Sequence, residues 1–384
     1  MRIAVIGHKR VPSREGGIEK TVEKQMIRMC RHGHEVILYN RSGHNIFGKE
    51  FDAGTADIKK YEEQNMRIET VPTPKGSLGV PVYSLLATIR ALRESCDVVY
   101  YHGSGSCLMI PLAKLFGVSC VAFIHGIDSK QQKWKRFGKT YLRLGEKTAA
   151  KKADVCLVLS ENNQTYIRDT YGVVPVLTFN GTELPPQTDN AQNILEEKFG
   201  LKKNEYILNT GRIISGKGLE YLIKAFRCCK TEKKLVIAGG VDPVCRAYYQ
   251  ELREMAKGDS RIRFLGFQDE ASLNILYELA YAFVFPSDHE GMAHSLLEAM
   301  AAGCCCLVSD IPENSSVIKE YGICFRRGDT KDLQEKLQVL LESPETVAKY
   351  QKGVAEYAMK TYNWDDCVKQ IEGIMERITA GDKV

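Results

Sequence analysis

Short apolar runs alternate with helical periodicities along most of the chain. Ile3 to Ile6 is followed by an amphipathic stretch from Ile18 to Cys30 that stops at Gly33, and then by a second apolar run from Glu35 to Tyr39. That order predicts a βαβ start. The rhythm continues through Val98 to Tyr101, Leu108 to Phe116, Cys120 to Ile124, a long helix from about Trp134, and Val155 to Leu159. After Val176 to Phe179 it breaks at Asn180 to Gln187, whose turn residues offer little to bury, so an inter-domain linker is expected there. A second series follows: Tyr206 to Asn209, a helix from Leu219, Lys234 to Ala238, a helix near Tyr248, Ile262 to Leu265, Ala282 to Phe285, a helix from His294, and Cys305 to Val308. From Lys331 onward the pattern is helical, with Pro344 opening one segment and Trp364 near the start of the last.

Strands separated by helices imply mostly parallel sheets covered on both faces. The expected fold class is α/β, with two tandem doubly wound domains and ligands at the C-terminal ends of the strands. The expected boundaries are 1–182, 183–363 and a C-terminal helix over 364–384.

A length of 384 residues suits two domains, and 44% hydrophobic with 26% charged residues is ordinary globular composition. No eighteen-residue window lacks a charge, so no membrane span is expected. The apolar stretch after Arg2 is too short for a signal peptide, and a cytoplasmic protein is expected. The thirteen cysteines contain no Cys-x-x-Cys and sit mostly in apolar runs, where thiols behave as small hydrophobes.

Charge is uneven. Between Lys130 and Lys152 nine basic residues face Glu146 alone, a local +8 in a chain whose net charge is +5. Trp134, Phe137, Tyr141 and Leu142 are interleaved at near-helical spacing, a pattern shared by core helices and by helices that touch anionic lipid. Nothing in the chain points to nucleic acid.

The chemistry concentrates in two stretches. Gly211-Arg-Ile-Ile-Ser-Gly-Lys-Gly218 follows a strand and opens a helix. It lacks the Ser or Thr that a Walker loop places after its lysine, and the next strand ends in Ala238-Gly239-Gly240 with no aspartate, which argues against an ATPase. What remains is Arg212 and Lys217 beside a helix start, an arrangement suited to a diphosphate. The second stretch, Asp288 to Met300, carries Glu290 just outside a short helix and Glu298 about two turns inside it. That spacing is too wide for a carboxylate dyad and fits two ends of one extended ligand. The backbone amides near Gly291, Met292, Ala293, His294 and Ser295 favour negative charge. In the first half, Gly16-Gly17 allows close backbone approach before a helix, and His125 and His102 each end a strand. His32-Gly33-His34 reads as a helix-to-strand turn. There is no Asp-x-Asp and no carboxylate set with metal-ligand spacing, so metal-independent chemistry is expected.

Gly-Arg-x4-Lys-Gly at Gly211 to Gly218 together with Glu-x7-Glu from Glu290 to Glu298 resembles the retaining GT-B glycosyltransferases of family 4. The likeness extends over the whole chain, and the segments Gly7 to Glu19 and His125 to Lys152 are most similar to a bacterial rhamnosyltransferase-type subgroup. The subgroup often lacks the first glutamate, which this chain keeps, and Ala293 stands where many relatives carry glycine. The resemblance implies a nucleotide-diphosphate sugar as donor, a UDP-sugar or dTDP-rhamnose, and a saccharide or lipid-linked acceptor. By the same resemblance, Arg212 and Lys217 would bind the donor diphosphate, Glu290 the sugar hydroxyls and Glu298 the ribose. Gly16 and Gly17 would lie near the phosphates and His125 near the donor sugar, with the final helix crossing back to the first domain. A sugar-nucleotide epimerase on the same fold, and a non-enzymatic polyanion- or membrane-binding protein, are the competing readings.

Overall fold

The computed structural model describes residues 1–13, 16–43, 65–130 and 136–382. They form two compact units, Met1–Gly181 with Trp364–Val384, and Thr182–Asn363.

The first unit runs β1 (Arg2–Ile6), α1 (Gly17–Arg31), β2 (Glu35–Arg41), β3 (Met66–Val71), α2 (Gly79–Arg93), β4 (Val98–His102), α3 (Ile110–Leu115), β5 (Ser119–Ile124), α4 (Arg136–Lys152), β6 (Val155–Val158), α5 (Glu161–Tyr171) and β7 (Val176–Leu177). The seven strands are parallel in the order β3-β2-β1-β4-β5-β6-β7. Their apolar runs are continuous because both faces are covered: β4 is buried at every position. The strand order reverses between β1 and β4, which is where such sheets open a ligand crevice at their C-terminal edge.

The second unit runs α6 (Ala191–Phe199), β8 (Tyr206–Thr210), α7 (Leu219–Cys228), β9 (Lys234–Ala238), α8 (Arg246–Ala256), β10 (Ile262–Gly266), α9 (Glu270–Glu278), β11 (Ala282–Phe285), α10 (His294–Ala301), β12 (Cys306–Ser309), α11 (Pro312–Ile318), β13 (Gly322–Phe325), α12 (Thr330–Glu342), α13 (Pro344–Gln351) and α14 (Val354–Thr361). Its six strands are parallel in the order β10-β9-β8-β11-β12-β13, so the reversal falls between β8 and β11.

The last helix, α15 (Trp364–Thr379), groups with the first unit. Arg28 of α1 pairs with Asp365 at 2.8 Å, Thr178 Oγ1 donates to Gln370 at 2.8 Å, and His32 and His34 both reach the Glu372 carboxylate. The His32-Gly33-His34 turn thus serves to hold α15.

Three stretches differ from the reading of the sequence. Gly79–Arg93, where no element was expected, is a fifteen-residue helix, α2, because Tyr83, Ala87 and Ala91 recur at helical spacing and are buried. The break at Asn180 is not all exposed: Asn180 and Thr182 are buried, and Thr182 N and Oγ1 donate to Tyr362 O and Leu297 O. The basic stretch is helical from Arg136; Lys133, Trp134 and Lys135 lie outside the described residues.

Candidate functional site

Both motifs of the second unit hang from its switch point. β8 runs out into Gly211 to Gly218 and β11 into Pro286 to Ala293, and the two loops are neighbours because their strands pair. Asp288 N donates to Gly216 O at 2.9 Å, and Gly211 N is fixed on Ala238 O at 3.1 Å. Gly218 caps α7 with φ +66, and a Cβ there would overlap the carbonyl oxygen of Pro286. Glycine is required at that position for two reasons, the left-handed backbone and the contact.

Lys217 Nζ lies 2.5 Å from Glu290 Oε1, with the side chains only 22% and 10% exposed. The expected phosphate ligand and the expected sugar ligand therefore form one ion pair. Arg212 is exposed and makes no ion pair among the described residues. Neither α7, starting after Gly218, nor α10, starting after Ala293, has a side-chain cap, so each presents first-turn amides of the kind that bind anions. Met292 and Ala293 are buried, whereas Gly291, His294 and Ser295 are half-buried at the mouth of α10.

Glu298, in the second turn of α10, is half-buried and accepts from Tyr277 Oη at 3.2 Å; that hydroxyl is also 2.5 Å from Thr210 Oγ1. Burial first, and Glu298 next, push the Tyr277 hydroxyl well above its ordinary range, so it stays a neutral donor to the carboxylate. Sequence reading missed Tyr277, although an aromatic with a polar tip at the end of α9 is the type that would anchor such a group. Burial, with Glu220 second, also raises the Asp288 carboxyl. Asp288 accepts from Tyr221 Oη at 3.5 Å.

In the first unit, Gly16 caps α1 at φ +99, and a side chain there would overlap the Glu19 carboxylate; Gly17 opens the helix. Glu19 Oε1 in turn accepts from Lys9 N at 2.8 Å, which ties the first turn of α1 to the segment just after β1. His125 follows β5 and is half-buried, with Nε2 2.9 Å from Nδ1 of the fully buried His102. His102 Nε2 is buried without a partner, so the His102 proton belongs on Nδ1, donated to His125: an orphan lone pair costs less than an orphan N–H. Burial, reinforced by His125, drives the His102 pKa well down and keeps it neutral. The repeated His-Gly at the ends of adjacent parallel strands is the sequence signal for this pair.

The one acid of the basic helix α4, Glu146, faces inward and accepts from Ser129 N and Oγ, Tyr166 Oη and Tyr171 Oη. The outer face is left with Arg136, Arg143, Lys147 and Lys151 and with Phe137 and Leu144, which are 72% and 51% exposed. No described helix is long and apolar enough to cross a membrane. Among the described residues no group of three or more His, Cys, Asp or Glu could hold a metal.

Two parallel doubly wound sheets in tandem, with cations and carboxylates gathered at a strand-order reversal, are the architecture of the GT-B glycosyltransferases. Residues 191–361 match the family model described as glycosyl transferases group 1 and residues 15–183 match glycosyltransferase family 4; together these account for most of the chain, which belongs with these enzymes. The O-antigen chain mannosyltransferase of Salmonella typhimurium is 26% identical over 57% of this chain and 60% of its own. An Escherichia coli UDP-Gal:α-D-GlcNAc-diphosphoundecaprenol α-1,3-galactosyltransferase is 28% identical over 72% and 73%. The chain thus spans about three fifths to three quarters of the length of these curated relatives. In fold it is similar to Anabaena HepE, solved in complex with UDP and glucose, with a TM-score of 0.79 at 16% identity over 98% of this chain and 99% of that one. The rhamnosyltransferase-type subgroup has no counterpart among these relatives.

Proposed function

We propose that the chain is a retaining glycosyltransferase that moves a sugar from a nucleotide-diphosphate donor, a UDP-sugar or dTDP-rhamnose, to a saccharide or lipid-linked acceptor in cell-surface polysaccharide synthesis. The observation that carries this reading is the meeting of Lys217 and Glu290 on the loops that follow the paired strands β8 and β11, flanked by the starts of α7 and α10, with Arg212 on the same loop as Lys217. In this reading the second unit binds the donor, the diphosphate taken by Arg212, Lys217 and the helix amides, the sugar hydroxyls by Glu290 and the ribose by Glu298. As the glycosidic bond breaks, charge grows on the leaving diphosphate, and fixed cations stabilise it more than the ground state. No side chain is assigned the role of nucleophile in this reading; the acceptor hydroxyl attacks from the face the diphosphate leaves and passes its proton to a phosphate oxygen. No metal is assigned a part.

The first unit takes the acceptor, with His125 near the donor sugar. The outer face of α4, basic and carrying Phe137 and Leu144, suits an anionic lipid surface on the cytoplasmic side of the membrane. The E. coli relative named above acts on a diphosphoundecaprenol-linked sugar, which supports a lipid-linked acceptor here. Transfer from UDP- and dTDP-sugars to such acceptors in EDTA, with the product anomer read by NMR, tests the proposal. Product with the donor's anomeric configuration is expected. Inversion of the anomer contradicts the retaining step, and conversion of donor without acceptor favours the epimerase reading.

A further inference from the structure

One cation of the first unit is assigned no part in the donor chemistry proposed above. Arg41, the last residue of β2, is half-buried; its Nη2 donates to Gly7 O at 2.6 Å, its guanidinium carbon lies 4.9 Å above the Tyr83 ring, and its backbone N donates to Lys9 O at 2.7 Å. Nε is buried with no hydrogen-bond partner, and among the described residues no carboxylate forms an ion pair with Arg41. The Glu19 carboxylate, which acts on the same Tyr83 hydroxyl, is engaged by Lys9 N. Two further groups on which the Arg41 charge acts carry no negative charge: His8, buried and bonded to Asn40, and Tyr141 of α4, whose hydroxyl donates to Gly105 O.

A guanidinium drawn partly out of water without a counterion is costly, and a second unspent N–H adds to the cost. The side chain is nevertheless clamped from two sides, so it is built to hold its position. It stands at the C-terminal edge of the sheet, one strand from the switch point, and its planar fork matches phosphoryl oxygens. Tyr141, on which the charge of Arg41 acts, lies in α4 one turn after the exposed Phe137, so the helix that carries the lipid-suited face also turns a side chain towards this cation.

We propose that Arg41 receives a phosphate or diphosphate group carried by the acceptor, which makes the natural acceptor a saccharide on a phosphate-bearing anchor rather than a neutral sugar. The identity of the ligand as acceptor rests on the glycosyl-transfer reading; the anion site itself does not. Isothermal titration with inorganic pyrophosphate therefore comes first. The Arg212→Ala/Lys217→Ala variant is expected to keep one pyrophosphate site, and adding Arg41→Gln is expected to abolish it, with Arg41→Lys restoring part. If the double variant binds no pyrophosphate, the site does not exist, whatever becomes of Arg41→Gln on folding.

Transfer is then compared between a saccharide joined through a diphosphate to a short lipid and the same saccharide as a neutral alkyl glycoside. Arg41→Gln is expected to narrow the ratio of their kcat/KM values by at least about tenfold, the loss of one charge-assisted contact, and pyrophosphate is expected to compete with the diphosphate-linked acceptor. An unchanged ratio, loss of UDP affinity in Arg41→Gln, or pyrophosphate that binds without competing would overturn the acceptor assignment. Absence of transfer by the wild type to either acceptor would count against the glycosyl-transfer reading and leave the titration to judge the anion site.

Discussion

Replacing Glu290 by glutamine separates two things its carboxylate does, and it sets them in opposite directions. Glu290 now neutralises Lys217 across 2.5 Å. A phosphate oxygen bound on another side of the same ammonium, at about 2.8 Å, leaves the two anions about 5 Å apart. At an effective dielectric of about 20 that repulsion is about 3 kcal/mol, and salt and the partial exposure of Lys217 reduce it to about 1 kcal/mol. Glu290→Gln should therefore bind UDP roughly fivefold more tightly than the wild type by isothermal titration, and in a Lys217→Met background, where nothing neutralises the carboxylate, the gain should be at least as large. Transfer should fall, by about 10² in kcat, because the charged acceptor for the sugar hydroxyls is gone. Unchanged or weaker UDP binding in Glu290→Gln would refute the idea that Lys217 is shared between carboxylate and diphosphate.

Tyr277→Phe should loosen Glu298 and cost about 1 kcal/mol of UDP affinity, with no further loss when 2′-deoxy-UDP is titrated, since the ribose hydroxyl is the group it serves. Glu146→Ala strands four inward-facing donors and should lower stability by about 2–4 kcal/mol in urea unfolding. His8 is pushed down to about 4 by burial, below the unfolded value of about 6.5, so the folded state resists its protonation. Its contribution is complete above about pH 6.5 and is lost as pH falls towards 4, up to about 3 kcal/mol, with His102 acting in the same direction. A melting temperature that did not fall across that window, or a His8→Gln variant with the wild-type slope, would contradict this.

Much of the fold was legible because buried parallel strands write themselves as unbroken apolar runs: β1, β4, β5, β9 and β11 are almost wholly buried. β3 was not, since Met66–Val71 is an edge strand with polar residues on its exposed positions. Helices α5, α6, α9 and α11 and strand β13 also went unread, being short and half-exposed. The candidate site could be proposed from the sequence wherever residue type and strand end coincided, as at Gly211 to Gly218. Its partnerships were not, because Lys217 and Glu290, Tyr277 and Glu298, and His102 and His125 meet only through strand order. Arg41 carried no sequence signal at all; its meaning comes from a buried Nε without a partner and from the lack of an ion-paired carboxylate among the described residues, which only the fold displays.

Nucleoside diphosphate binding at the β8/β11 switch point is tested most directly by thermal melting with UDP, dTDP, GDP, ATP and NAD in EDTA. One nucleoside diphosphate should stabilise the wild type by about 2.7 kcal/mol at a hundred times its Kd, visible as a shift of a few degrees, and Arg212→Ala and Glu298→Ala should each remove the shift. No shift with any diphosphate, or a shift that survives both substitutions, would contradict the site.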